Sequence, residues 1–96
     1  MEILVAYDVS TETPEGQRRL RKVARVCLDF GQRVQKSVFE CSVSDMAYER
    51  MKQRLLRCID EEQDSLRIYK LHGPKEGVVE HFGVTIAVDF HGPLVV

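Results

Sequence analysis

The chain has 96 residues, 44% of them hydrophobic and 30% charged, with a formal net charge of -1. That length accommodates a single domain over 1–96, read as a core at 1–71 and a loop plus C-terminal strand at 72–96, and leaves no room for a second core. The longest apolar run, Ile3 to Tyr7, is far short of the roughly 20 residues a membrane-spanning helix needs, and no basic-then-apolar leader precedes it, so the expected location is cytoplasmic.

Glu2 to Tyr7 reads as a strand that delivers Asp8 at its end, making this carboxylate the first candidate for chemistry. The competing role is a cap on the turn that opens at Val9-Ser10. A helix follows, with Thr13 as cap and Pro14 in the first turn. Leu20, Val23, Ala24 and Cys27 recur on one face of it, and Gly31 ends it. At about 100° per residue, Arg18, Arg21, Lys22 and Arg25 lie on the opposite side, facing solvent.

Arg33 to Val43 contains neither Gly nor Pro and mixes Val34, Val38, Phe39 and Val43 with polar residues, the pattern of half-buried strand. No turn dipeptide decides between one long strand and two strands parted near Lys36-Ser37. The second helix is capped by Ser44, with Tyr48, Met51, Leu55, Cys58 and Ile59 inward and Arg50, Arg54 and Arg57 forming another basic stripe. Ser65 to Leu71 reads as strand with Leu66 and Ile68 inward. A turn-rich stretch from His72 to Gly77 and a last strand alternating Val84, Ile86, Val88 and Phe90 complete the chain.

The near-zero net charge conceals an uneven distribution. Seven of the fourteen basic residues (Arg18, Arg19, Arg21, Lys22, Arg25, Arg33 and Lys36) fall in one stretch with the single acid Asp29, while acids gather at Asp60, Glu61, Glu62 and Asp64. Cys27, Cys41 and Cys58 are odd in number and lack C-x-x-C spacing, which favours buried thiols over a disulfide framework or a zinc site. His72, His81 and His91 share no spacing that suggests metal binding. The order of elements predicts an α+β ferredoxin-like βαββαβ sandwich with an additional C-terminal strand. With both helices on one face of the sheet, a homodimer packed through the other face completes it. Folds of this kind also serve as small-molecule regulatory modules, for which the faint Gly31-Gln32 turn offers little.

Three blocks carry a family resemblance. Tyr7-Asp8-Val9-Ser10 after the first strand, Arg18-Arg19-Leu20-Arg21-Lys22-Val23-Ala24 in the first helix, and Gly31-Gln32-Arg33-Val34-Gln35-Lys36-Ser37-Val38-Phe39-Glu40 resemble the second universal CRISPR-associated protein family, the small subunit of the spacer-acquisition machinery. Asp64 to Tyr69 is similar to the family's fourth strand. The resemblance implies a homodimer that associates with the CRISPR integrase subunit and holds duplex DNA for insertion as a new spacer. It also implies a metal-dependent endonuclease acting on single-stranded RNA or duplex DNA. By position, it assigns the metal-binding aspartate to Asp8 and further catalytic roles to Tyr7, Arg33 and Phe39. Nucleic-acid contacts fall to Arg18, Arg19, Arg21, Lys22, Arg25, Arg50, Arg54 and Arg57.

One aspartate is too few ligands for Mg²⁺, which prefers octahedral oxygen coordination. Asp8 from each subunit facing the twofold axis, together with a phosphate oxygen, can hold one shared Mg²⁺, and Arg33 can steady the phosphate as a planar fork. A non-catalytic DNA-holding scaffold and a toxin-like ribonuclease of the same fold remain as alternatives.

Overall fold

Alternation in the first strand sets the architecture. In β1 (Glu2–Asp8), Ile3, Val5 and Tyr7 are buried while Leu4 and Ala6 are half-buried and Asp8 is exposed, so the strand has a core face and an open face. The structure is a computed structural model that describes residues 1–71 and 79–84.

Helix α1 (Pro14–Phe30) starts where Thr13 Oγ1 accepts the Gly16 amide at 3.1 Å. Proline at its first turn lacks only an amide that would have had no helical partner. Gly16 is there because the chain doubles back on itself: a Cβ at this position would lie 1.9 Å from the Ser10 carbonyl oxygen. Helix α2 (Asp45–Cys58) starts the same way, Ser44 Oγ accepting the Ala47 amide at 3.1 Å.

Between the helices the chain forms two strands, β2 (Gly31–Gln35) and β3 (Val38–Ser42), joined by a tight turn at Lys36-Ser37. This settles the question the sequence left open. The register shifts between Arg33 and Gln35, an irregularity that leaves Val34 outside the core and exposed. β4 (Ser65–Lys70) pairs with the other side of β1.

The additional strand is β5 (Val79–Gly83), paired antiparallel with β4. It lies ahead of the alternation predicted from Val84, of which Ile86, Val88 and Phe90 fall outside the described residues, as does the loop from His72 to Gly77.

All pairings are antiparallel in the order β2-β3-β1-β4-β5, which puts β1 at the centre of the sheet. The core joins Ile3, Val5, Tyr7, Phe39, Cys41, Leu66 and Ile68 of the sheet to Val23, Val26 and Cys27 of α1 and Tyr48, Met51 and Leu55 of α2. Both helices therefore cover one face of a βαββαβ sheet, and the fold is ferredoxin-like. Among the described residues no helix is long and apolar enough to cross a membrane.

Candidate functional site

Asp8 ends the central strand. Its Cα partner in β4 is Ser65, and alternation turns its exposed carboxylate to the face that carries no helix. Pairing places Ala6 opposite Arg67, and Arg67 opposite His81, in the next row of that same face. His81 Nε2 lies 2.9 Å from the Val84 carbonyl oxygen and 3.3 Å from Ser65 Oγ. A carbonyl can only accept, so this nitrogen carries the proton. Ser65 thus links His81 to the residue beside Asp8. Sequence reasoning gave His81 no role, because only the β1-β4-β5 register brings it near.

Tyr7, one residue earlier, points the other way. Its ring stacks on Phe39 with centroids 6.1 Å apart and planes 22° apart, its hydroxyl donates to the Lys36 carbonyl at 3.3 Å, and the Arg33 guanidinium sits 5.1 Å from the centre of the Phe39 ring. The fold brings Tyr7, Arg33 and Phe39 together beneath the β2-β3 turn, with Phe39 fully buried and Arg33 exposed at the rim. Asp8 and this cluster occupy opposite faces of β1. Burial pushes the Tyr7 hydroxyl up from its usual 10.0 and the neighbouring Cys27 adds to the rise, against an opposing pull from Arg33. Tyr7 is therefore a donor and a packing group at neutral pH, not a base.

The loop after Asp8 is held by a residue that the sequence showed only as the last of the acids gathered at 60–64. Asp64 is fully buried and accepts from the Ser10 amide at 3.0 Å, the Asp60 amide at 2.9 Å and Arg19 Nε at 2.8 Å. Burial alone would raise its carboxyl. The hydrogen bonds from Arg19 and from the two amides outweigh that and hold it below the ordinary 3.8. Arg19 is thereby drawn out of the basic stripe into an ion pair whose acid is wholly enclosed. The sequence signal was slight: Arg19 falls between the solvent-facing positions 18, 21, 22 and 25 rather than on them.

The other basic residues are more accessible. Arg18, Arg21, Lys22 and Arg25 of α1 are exposed, as are Arg50 and Arg57 of α2. Arg54 is half-buried, pairing with Asp29 at 2.8 Å and lying 5.6 Å from the centre of the Phe30 ring. The thiols of Cys27 and Cys41 are buried, and burial pushes them up to about 12 and about 11, so they pack rather than react. Cys58 is only partly covered. Among the described residues no three His, Cys, Asp or Glu side chains converge as a metal site.

The architecture is that of a small ferredoxin-like α+β domain with an exposed carboxylate ending its central strand and cationic helices over its other face. The comparisons make the class specific. Residues 1–77 match the family described as CRISPR associated protein Cas2. The "CRISPR-associated endoribonuclease Cas2 1" of Moorella thermoacetica is 61% identical over 95 residues, covering 99% of each chain. The "CRISPR-associated endonuclease Cas2" of Halalkalibacterium halodurans is 47% identical, again over 99% of each. The crystal structure of Streptococcus pyogenes Cas2 at pH 6.5 is similar with a TM-score of 0.70 and 57% identity, covering 75% of this chain and 87% of that one. The chain belongs to the Cas2 family.

Proposed function

We propose that this chain is a homodimeric subunit of CRISPR spacer acquisition that holds duplex DNA on its cationic helices, works with the CRISPR integrase subunit, and carries a phosphodiester-cleaving centre at Asp8. The observation that carries the reading is the placement of Asp8: exposed, at the end of the central strand, on the sheet face that no helix covers. A dimer formed through that face brings two such carboxylates toward one axis. The open face also supplies apolar cover for a partner, with Leu4, Ala6, Val38 and Tyr69 half-buried and Val79 exposed.

Among the described residues one chain shows no group of three candidate ligands, and the proposed fit draws on the second Asp8. The chemistry a divalent cation such as Mg²⁺ supplies in that setting is neutralisation of phosphate charge and acidification of water. The chain's own residues set the frame. Asp64 and Arg19 fix the loop that follows Asp8, and Ser65 and His81 border it on the open face. Arg33, expected to steady the phosphate, instead lies over the Phe39 ring on the opposite face of β1 and is not placed to reach a phosphate held at Asp8. RNA and duplex DNA both present the phosphodiester this arrangement addresses.

The lone carboxylate per chain also favours a second reading, in which the protein is a DNA-holding scaffold without cleavage of its own. Spacer integration assayed with the cognate integrase, comparing wild type with Asp8→Asn, separates the parts. Integration that requires this chain supports the acquisition role, and integration at the same rate without it would remove that role. Integration retained in Asp8→Asn shows that acquisition does not need the carboxylate, and cleavage of labelled RNA and duplex DNA by the wild type then decides between the two readings.

A further inference from the structure

Folding sorts the two basic stripes into residues that converge and residues that do not. Between α1 and α2 runs an open groove of about 270 Å³ lined by Lys22, Arg25, Val26, Arg54, Arg57 and Cys58. Four of its six lining side chains are cations. Asp29 neutralises Arg54 at 2.8 Å, but no ion pair among the described residues engages Lys22, Arg25 or Arg57. The helices thus hold three positive charges that no described acid pairs, around a floor formed by buried Val26 and half-covered Cys58. Like charges fixed this way repel, and low-dielectric walls concentrate their field. An anion in the groove relieves the repulsion.

We infer that the α1-α2 groove is a seat for the sugar-phosphate backbone of a nucleic acid, held by Lys22, Arg25 and Arg57 with Arg54 as a braced wall. This rests on the nucleic-acid reading above and names the surface that serves it, on the opposite side of the sheet from Asp8. Two features favour a backbone over a small soluble anion. The groove is open rather than enclosed, and Arg18, outside its lining and paired with Glu15 at 3.6 Å, stands about 6 Å of helix rise before Lys22 on the same side of α1, extending the cationic line beyond the groove. A chain of phosphates can follow that line, whereas a single small anion would use only part of it. Arg21 and Arg50, though exposed, do not line the groove.

Cys58 supplies an internal reporter. It lines the groove and is partly accessible, while Cys27 and Cys41 are buried. Iodoacetamide should therefore alkylate Cys58 first, and a bound fluorescein-labelled duplex should protect it, read by mass spectrometry of the intact full-length protein. In parallel, Arg25→Gln with Arg57→Gln should weaken duplex binding about tenfold at low salt and lower the slope of log affinity against log salt by about two per groove in contact. Arg21→Gln with Arg50→Gln should have a smaller effect on both. Circular dichroism verifies that both double variants are folded.

Protection of Cys58 together with the larger loss in the groove variant supports the seat. A duplex that binds wild type but leaves Cys58 alkylation and the groove variant's affinity unchanged overturns the seat and leaves the nucleic-acid reading standing. Absence of duplex binding to wild type overturns both. Poly-glutamate that protects Cys58 where the duplex does not would make the groove a seat for an acidic protein segment and overturn the inference.

Discussion

Asp64 does more for the candidate site than any residue in contact with it. Its carboxylate ties the loop after β1, through Ser10, to α1, through Arg19, and to the turn before β4, through Asp60. Removing it in Asp64→Ala leaves the Ser10 and Asp60 amides without their acceptor, and each unsatisfied group costs about 1–3 kcal/mol where it stays dry. Urea unfolding should show a lower midpoint for this variant. The pH dependence has a definite sign. The folded carboxyl sits below its ordinary 3.8, so its contribution is complete above that value and is lost as the pH falls through the folded pKa. The stability difference between wild type and Asp64→Asn should be flat at neutral pH and shrink once the pH drops below about 4. A difference that stays constant into strong acid would contradict the assignment. Asp64 was not legible as a buried group, since in sequence it closes the run Asp60-Glu61-Glu62-Gln63 and only the return of the chain past Ser10 encloses it. The position of Asp8 at the end of the first strand was legible because the unbroken apolar run Ile3 to Tyr7 leads straight to it.

The helices, β1 and β4 were read to within about a residue or two, whereas the β2-β3 break was left open and β5 was not foreseen where it lies. Thr13-Pro14 and Ser44 announce their helices through side-chain oxygens that cap nearby amides. The β2-β3 turn has only a faint sign, because Lys36-Ser37 lacks Gly, Pro, Asn and Asp, Ser favours turns weakly, and the ladder on either side sets their conformation. β5 is harder still. Glu80 occupies a core-side position, where Tyr48 and Lys52 hold its carboxylate, so the apolar alternation that marks a strand is interrupted. The end of this strand depends on Gly83, whose φ of 96° suits glycine and where a Cβ would lie 1.9 Å from the Asp64 carbonyl oxygen. Gly83→Ala should destabilise the fold by at least about 1 kcal/mol. Hydrogen exchange should locate the loss, with amides of the β4-β5 ladder exchanging faster and those in the middle of α1 unchanged. Uniform acceleration across the chain would mean that β5 is not a separable edge.

At the scale of the whole molecule, the two faces of the sheet divide the work. The covered face carries the core and, outside it, the cationic helices. The open face carries Asp8 and the apolar patch around Leu4 and Tyr69. A dimer through the open face should be sensitive to Leu4→Arg, which places a charge between Glu40 and Tyr69 in the pairing register. Sedimentation equilibrium should then show monomer with an unchanged circular dichroism spectrum, and a persistent dimer would move the interface elsewhere. The division of faces also accounts for what composition alone concealed: a chain of net charge -1 presents a locally cationic helix layer because α1 and α2 together carry nine basic residues against four acids, while four more acids cluster in the 60–64 turn.

The central claim is that the carboxylate at the end of the central strand carries phosphodiester cleavage. Its most direct test is magnesium-dependent cleavage of labelled single-stranded RNA and duplex DNA by highly purified wild type beside Asp8→Asn. The exposed position of Asp8 makes that substitution structurally silent. The account predicts cleavage by wild type and its loss in the variant, with folding and self-association unchanged. Cleavage at undiminished rate by Asp8→Asn, or none by either protein, would contradict it.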